Sequence, residues 1–170
     1  MTVPLNASPG SELAGRVIAA AIASGTTLAT AESLTAGMIA ATLAEVPGAS
    51  AVLQGGVVSY SGGVKAKVLG VDPRLLAERG SVDGDVARQM AEGARRACDA
   101  DLAVSATGVA GPDAHDGQGV GTVFLGYATA SGSGFVEHHF AGDRARIRLS
   151  STLAALELLS AHLPPSQRTG

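Results

Sequence analysis

Tryptophan is absent from this chain, only two tyrosines and three phenylalanines occur, and one cysteine serves all 170 residues. Each scarcity removes a class of protein. A single cysteine, Cys98, excludes an internal disulfide and has no second thiol for a zinc knuckle, as expected for a chain kept in a reducing compartment. So few aromatic rings leave little surface on which bases could stack, and basic residues gather in only one small group, Arg144, Arg146 and Arg148. With a net charge of -3, the chain lacks the basic stripe that a nucleic-acid surface needs. Long apolar runs are missing as well. The longest, such as VIAAAIA at 17–23, fall short of the roughly 20 residues that cross a bilayer, and the opening residues lack the basic start of a signal peptide. The expectation is a soluble cytoplasmic protein, with no membrane and no nucleic-acid partner.

What remains is small, aliphatic and rich in glycine. At 46% hydrophobic and 16% charged, 170 residues suffice for one good core and are short for two, so a single domain over 1–170 is expected, its core spanning about 11–163 between loose ends. The first ten residues and the last seven, PPSQRTG, are aperiodic. Between them, helical spacing at 12–24 follows Ser11 as a cap, and TLATA (27–31) reads as a short buried strand leading into a helix at 35–46. A Gly-interrupted strand follows at 51–61, with a bulge expected at Gly55 and Gly56. Short helices then end at Gly70 and start at Pro73, and Asp83 caps a helix at 85–98 with Val86, Met90, Ala94 and Ala97 on one face. The second half is richer in strand. A strand at 101–107 delivers GVAGP, 120–129 and 134–141 form a hairpin, and 143–163 closes the chain as a helix with an acidic cap and apolar residues Ile147, Leu149, Leu153, Leu156 and Leu159. This pattern predicts an α/β fold: a mixed, mostly parallel sheet with helices on both faces and at least one antiparallel strand.

In such folds ligands bind at the carboxyl ends of strands beside helix N-termini. Polar residues collect at three of these joints: Glu32, Ser33 and Thr35 after the first strand; Tyr60, Ser61 and Lys65 after the second; Thr107 with Gly108 and Gly111 after the third. Taken singly, Ser33 reads as an N-cap, Tyr60 as a core ring and Lys65 as solvated surface; their clustering favours chemistry. A serine at a helix start would lie beside free N–H groups and the positive end of the helix dipole, which favour an oxyanion. It also needs a base. His138 and His139 are strand neighbours that face opposite ways, His115 sits in a loop and His162 near a helix end, so Lys65 is the base candidate, effective if burial depresses its pKa. Tyr60 could relay the proton. No metal-ligand spacing, P-loop or GxGxxG pattern is present.

The blocks AESLTAG (31–37), GGVVSYSGGVKAKVLGV (55–71), GSVDGDVARQMAEGAR (80–95), TGVAGP (107–112), VGTV (120–123) and GDRARIR (142–148) come in the order and near the spacing of the CinA C-terminal domain family, which the chain resembles over nearly its whole length. The resemblance implies a nicotinamide-nucleotide amidase, converting nicotinamide mononucleotide to nicotinate mononucleotide and ammonia. It implies a three-layer α/β/α domain, usually self-associated, with no metal and no cofactor. The family's serine falls on Ser33, its tyrosine on Tyr60 and its lysine on Lys65. The serine two places after the family's PG falls on Ser50, the hydroxyl before GxAGP on Thr107, and the GDR arginine on Arg144, expected near the nucleotide phosphate, from the same chain or a neighbouring subunit. Glu32, Thr35, Gly108 and Gly111 complete the expected substrate-binding set. The chain departs from the family pattern at the same joints: Leu34 and Ala36 stand for a Cys and a Gly, Gly62 for an Asn, Asp83 for a Ser, and the loop after GP reads DAHDGQG and lacks the usual Lys. These departures motivate an alternative, a nucleotide-binding module that does not turn its ligand over.

Overall fold

The computed structural model describes residues 9–165. Helix α1, Pro9–Ser24, precedes strand β1, Leu28–Glu32, and a turn at 33–37 separates β1 from α2, Met38–Ala44. A 3-10 turn at Ala49–Ala51 leads into β2, Leu53–Val58; then come α3, Gly62–Leu69, α4, Pro73–Arg79, and α5, Gly84–Ala97. The chain continues through β3, Leu102–Gly108, β4, Thr122–Ala128, β5, Ser133–His139, and α6, Arg144–His162.

The five strands lie in the order β2-β1-β3-β4-β5. Pairing is parallel between β1 and both β2 and β3, and antiparallel from β3 to β4 and β4 to β5. Four strands therefore run the same way and β4 alone is reversed, which is the mixed α/β sheet that the strand and helix pattern predicts. Helices cover both faces. Ile18 of α1, Ile39 and Leu43 of α2, and Ile147, Leu156 and Leu159 of α6 pack on one side against Leu28, Leu102, Val104 and Leu125. Val86, Met90 and Ala94 of α5, with Leu69 of α3, pack on the other against Ala29, Ala31 and Ala103. Each fully buried Leu, Ile or Met contributes about 1.5–3 kcal/mol by leaving water, so the alternation of core residues along β1 and β3 fixes which helix covers which face.

Side-chain chemistry sets several ends. Asp72, Asp83 and Asp143 accept backbone N–H bonds from Arg74, Asp85 and Arg146 at the starts of α4, α5 and α6, and Gly70 in the left-handed region closes α3. Asp83, Asp143 and Gly70 are the expected cap and stop signals.

Several boundaries differ from the expected ones. Helix α1 begins at Pro9, so Ser11 lies inside its first turn, and Pro9 and Gly10 leave the expected loose end; residues 1–8 and 166–170 lie outside the described residues. Strand β1 ends on Glu32. The register irregularity of β2 falls at Gln54, between the pairs Leu28–Leu53 and Ala29–Gly55, not at Gly55 and Gly56. Gly56 is needed for another reason: a Cβ there would collide with the Thr30 hydroxyl. Two residues of the expected apolar faces are solvated: Ala97 at the end of α5 is exposed, and Leu149, two places after the buried Ile147 and so on the far side of α6, is 50% exposed. Among the described residues no helix is long and apolar enough to cross a membrane.

Candidate active site

The connection leaving β1 crosses one face of the sheet through α2 and that leaving β2 crosses the other through α3, α4 and α5, so the chain diverges at the carboxyl ends of β1, β2 and β3 and opens a crevice there. A cavity of about 360 Å³ fills it, within the range of small-molecule sites. Ser33, Tyr60, Thr107, Gly108, Gly111 and Arg144 all line this cavity.

Ser33 is the first residue after β1, and its N–H donates to the Ala106 carbonyl of β3 at 2.9 Å, which ties it to the sheet. Lys65 comes from the first turn of α3, whose cap Ser61 accepts the Val64 N–H. The Lys65 side chain is fully buried. Its Nζ donates to the Ser59 carbonyl at 2.7 Å and meets Ser33 Oγ at 3.0 Å. Burial away from water disfavours the ammonium and lowers the Lys65 pKa from the ordinary 10.5 to about 8, against the opposing charge of Asp116. A neutral amine holding one N–H on the Ser59 carbonyl turns its lone pair to the Ser33 hydroxyl, which is the geometry a general base requires.

Tyr60 is 58% exposed. Its hydroxyl accepts a bond from Arg144 Nη2 at 2.8 Å and, among the described residues, makes none with Ser33 or Lys65. The hydroxyl expected to relay the proton is thus bonded to Arg144 at the pocket wall. Arg144 Nη1 also donates to the Gly111 carbonyl at 2.8 Å, so this guanidinium is fixed over its own chain's pocket. Thr107 Oγ1 donates to the Ser81 carbonyl at 2.6 Å, and Gly108 closes β3 beside it.

Other expected ligands do different work. Ser33 does not start a helix: α2 begins five residues later, and its leading N–H groups are taken. The Glu32 carboxylate, 1% exposed, accepts the backbone N–H of Gly37, Ile39 and Ala40 at 2.9–3.0 Å and the Thr30 hydroxyl at 3.2 Å. It is the cap of α2 and is turned away from the pocket. At the start of α3, the Val64 N–H is held by Ser61 Oγ and Gly62 lines the cavity. Thr35 is buried behind the pocket, with Arg148 donating to the Leu34 and Thr35 carbonyls at 2.8 and 3.2 Å. The buried hydroxyls of Thr35 and Ser59 have no hydrogen-bond partner among the described residues. Ser50 sits exposed in the 3-10 turn before β2, at the opposite end of the sheet from the cavity.

The departures from the family pattern acquire shapes. Leu34 is a core side chain, 3% exposed, and Ala36 takes φ 49°, a left-handed conformation that a glycine adopts without strain. Ser59, Ser81, Asp116 and Arg148 are site residues that sequence reasoning passed over. Only Asp116 carried a signal, the Asp-Gly pair of a tight turn. Among the described residues no three His, Cys, Asp or Glu side chains come together in a metal-binding group.

The family model described as "CinA C-terminal domain" matches residues 10–163. A CinA-like protein of Geobacter sulfurreducens is 46% identical over 140 residues, 82% of this chain and 34% of the relative. A second, from Frankia casuarinae, is 42% identical over 160 residues, 92% of this chain and 37% of the relative. The chain thus spans about a third of the length of these curated relatives. Among solved structures, the competence/damage inducible protein CihA of Agrobacterium tumefaciens superposes with a TM-score of 0.88 at 37% identity, covering 94% of this chain and 98% of the other. A competence-damaged protein (CinA) superfamily protein of Enterobacter cloacae does so with a TM-score of 0.85 at 27% identity, covering 95% and 98%.

Proposed function

The chain belongs to the CinA C-terminal domain family, and on that premise we propose that it is an amidohydrolase that deamidates nicotinamide mononucleotide to nicotinate mononucleotide and ammonia. One observation carries the proposal: Lys65, fully buried and lowered to about pKa 8, lies 3.0 Å from the Ser33 hydroxyl. Neutral Lys65 takes the Ser33 proton as Oγ attacks the carboxamide carbon. The resulting ammonium, steadied on the Ser59 carbonyl, returns a proton to the departing nitrogen, so that the C–N bond breaks and ammonia leaves. Water then attacks the Ser33 ester, with Lys65 again accepting a proton, and the acid is released. The N–H groups at the start of α3 meet the oxyanion. Arg144, fixed by Tyr60 and Gly111, meets the nucleotide phosphate, which suits its planar set of donors. Self-association belongs to the same reading, as the route by which an outward-facing Ser50 could serve a neighbouring subunit's pocket.

The base must be neutral, so the rate follows the deprotonated fraction of Lys65. Below about pH 8, kcat/KM is expected to rise about tenfold per pH unit and to level off above it, with about a tenth of the plateau at pH 7. The purified protein is incubated with nicotinamide mononucleotide across this range, and ammonia and nicotinate mononucleotide are followed together. Equimolar release with that profile supports the reading, and a folded protein that releases nothing overturns it. The alternative, binding without turnover, draws on the Tyr60 hydroxyl, which is given to Arg144 and not to Ser33. Calorimetric binding of the mononucleotide in the absence of ammonia release would favour it.

A further inference from the structure

The turn that carries Ser33 is strained, and a side chain from the far end of the sequence grips it. The Ser33 carbonyl accepts the Ala36 N–H at 3.0 Å, closing a tight turn over residues 33–36. Its last residue, Ala36, and the following Gly37 stand in left-handed conformations at φ 49° and 98°, which costs alanine about 1–2 kcal/mol and persists only where neighbours enforce it. Arg148, in the second turn of α6, supplies two such contacts. Its Nε donates to the Leu34 carbonyl at 2.8 Å and its Nη2 to the Thr35 carbonyl at 3.2 Å, the two central carbonyls of the turn. Helix α6 is itself fixed at this end, because Asp143 accepts the Arg146 N–H at 2.9 Å and Ile147 is fully buried. A turn closed in this way offers no partner to the N–H groups of its two central residues. Among the described residues neither the Leu34 N–H nor the Thr35 N–H meets an acceptor. Of the two residues it is Leu34, only 3% exposed, that lines the cavity beside Ser33, and an orphan N–H in a buried residue calls for an acceptor.

We propose that Arg148 is a positioning residue of this site: its clamp on the Leu34 and Thr35 carbonyls holds Ser33 Oγ at its 3.0 Å from Lys65 Nζ and keeps the Leu34 N–H available as an oxyanion donor. The inference rests on the reading of Ser33 as the nucleophile. The Leu34 N–H belongs to the residue directly after that serine, so the turn alone sets its distance from the atom that Oγ attacks, and donor and nucleophile are placed together. Arg148 touches neither Lys65 nor the cavity wall described above; its guanidinium is spent on the turn. Releasing it lets the strained turn relax and shifts both groups at once, and a misplacement of about 1 Å costs about 10²-fold in rate.

A fluorophosphonate probe reads this without the nucleotide. Ser33 Oγ bonds to phosphorus, fluoride leaves, the serine proton passes to Lys65, and the phosphonyl oxygen occupies the place of the oxyanion; intact mass follows the labelling. Arg148→Met, assayed well below its melting temperature, should label about 10²-fold more slowly than the wild type. With nicotinamide mononucleotide its kcat should fall by a similar factor while KM changes little, a split that a loss of general stability does not produce. Arg148→Lys keeps the charge and one donor and should recover part of the rate. Replacing the Leu34 residue by its α-hydroxy acid removes only the N–H, leaves Arg148 in place, and should slow labelling by about 10² to 10³. A folded Arg148→Met that labels at the wild-type rate overturns the proposal, as does a loss confined to KM or a wild-type Ser33 that takes up no probe. Should Arg148→Met fail to fold, undiminished labelling of the α-hydroxy variant overturns it instead. Failure of the amidase reading shows separately, as Ser33 labelling in a protein that releases no ammonia from the mononucleotide.

Discussion

Lys65→Met is expected to cut ammonia release from nicotinamide mononucleotide by about 10³-fold or more while raising the melting temperature. Both halves follow from the same burial. Without the amine, the Ser33 hydroxyl has no group among the described residues within hydrogen-bond distance to take its proton, and a positioned base contributes about 10² to 10⁴ of rate. Stability moves the other way because the folded protein disfavours the Lys65 ammonium, its pKa falling from 10.5 to about 8. The unfolded chain holds this proton more tightly. Its penalty is fully present below about pH 8 and fades as pH rises toward 10.5, and it amounts to about 3 kcal/mol. Methionine fills the same slot without the charge. Leaving the Ser59 carbonyl unpaired takes back about 1 kcal/mol, so a net gain of about 2 kcal/mol is expected at pH 7, roughly 5 °C in melting temperature. The gain should shrink when the melts are repeated near pH 10. A variant that loses both activity and stability at pH 7 would contradict the assignment of Lys65 as a base held at a cost to the fold.

Glu32→Ala is expected to act through the fold, with a loss of about 3 kcal/mol or more. The carboxylate is buried and holds three leading N–H groups of α2 and the preceding turn, together with the Thr30 hydroxyl. Alanine strands all of these donors in a place water reaches poorly, and each buried orphan costs about 1–3 kcal/mol. Glu32→Gln keeps one acceptor oxygen and should lose about half as much. Thermal melts of the two variants beside the wild type check the order, and substrate affinity in the Gln variant checks the role. If Glu32 served the ligand, Glu32→Gln would weaken binding without lowering the melting temperature.

The sheet and the layering were legible because β-branched runs, glycine stops and aspartate caps such as Asp83 and Asp143 are local signals. The start of α2 was not. Ser33 and Thr35 look like caps by position, but the real cap is Glu32, whose carboxylate reaches five to eight residues ahead to Gly37, Ile39 and Ala40. Rules that look two or three residues ahead do not see that. Leu149 was misplaced for a simpler reason, since two residues of helix turn a side chain through more than half a circle from Ile147. For the site, residue chemistry named Ser33 and Lys65 as nucleophile and base, whereas their 3.0 Å separation depends on α3 folding back over the end of β1. The same long-range folding gave Tyr60 to Arg144, sent Ser50 to the far end of the sheet, and brought Asp116 beside Ser81, contacts that no spacing along the chain encodes.

The most direct test of the account is ammonia release from nicotinamide mononucleotide by Ser33→Ala beside the wild type, at a pH above 8 where Lys65 is mostly the free amine. The account predicts steady release from the wild type and about 10³-fold less, or none, from a variant that melts normally and still binds the nucleotide. Undiminished release from Ser33→Ala would contradict it, because the pocket would then be hydrolysing the amide without the serine that Lys65 is placed to activate.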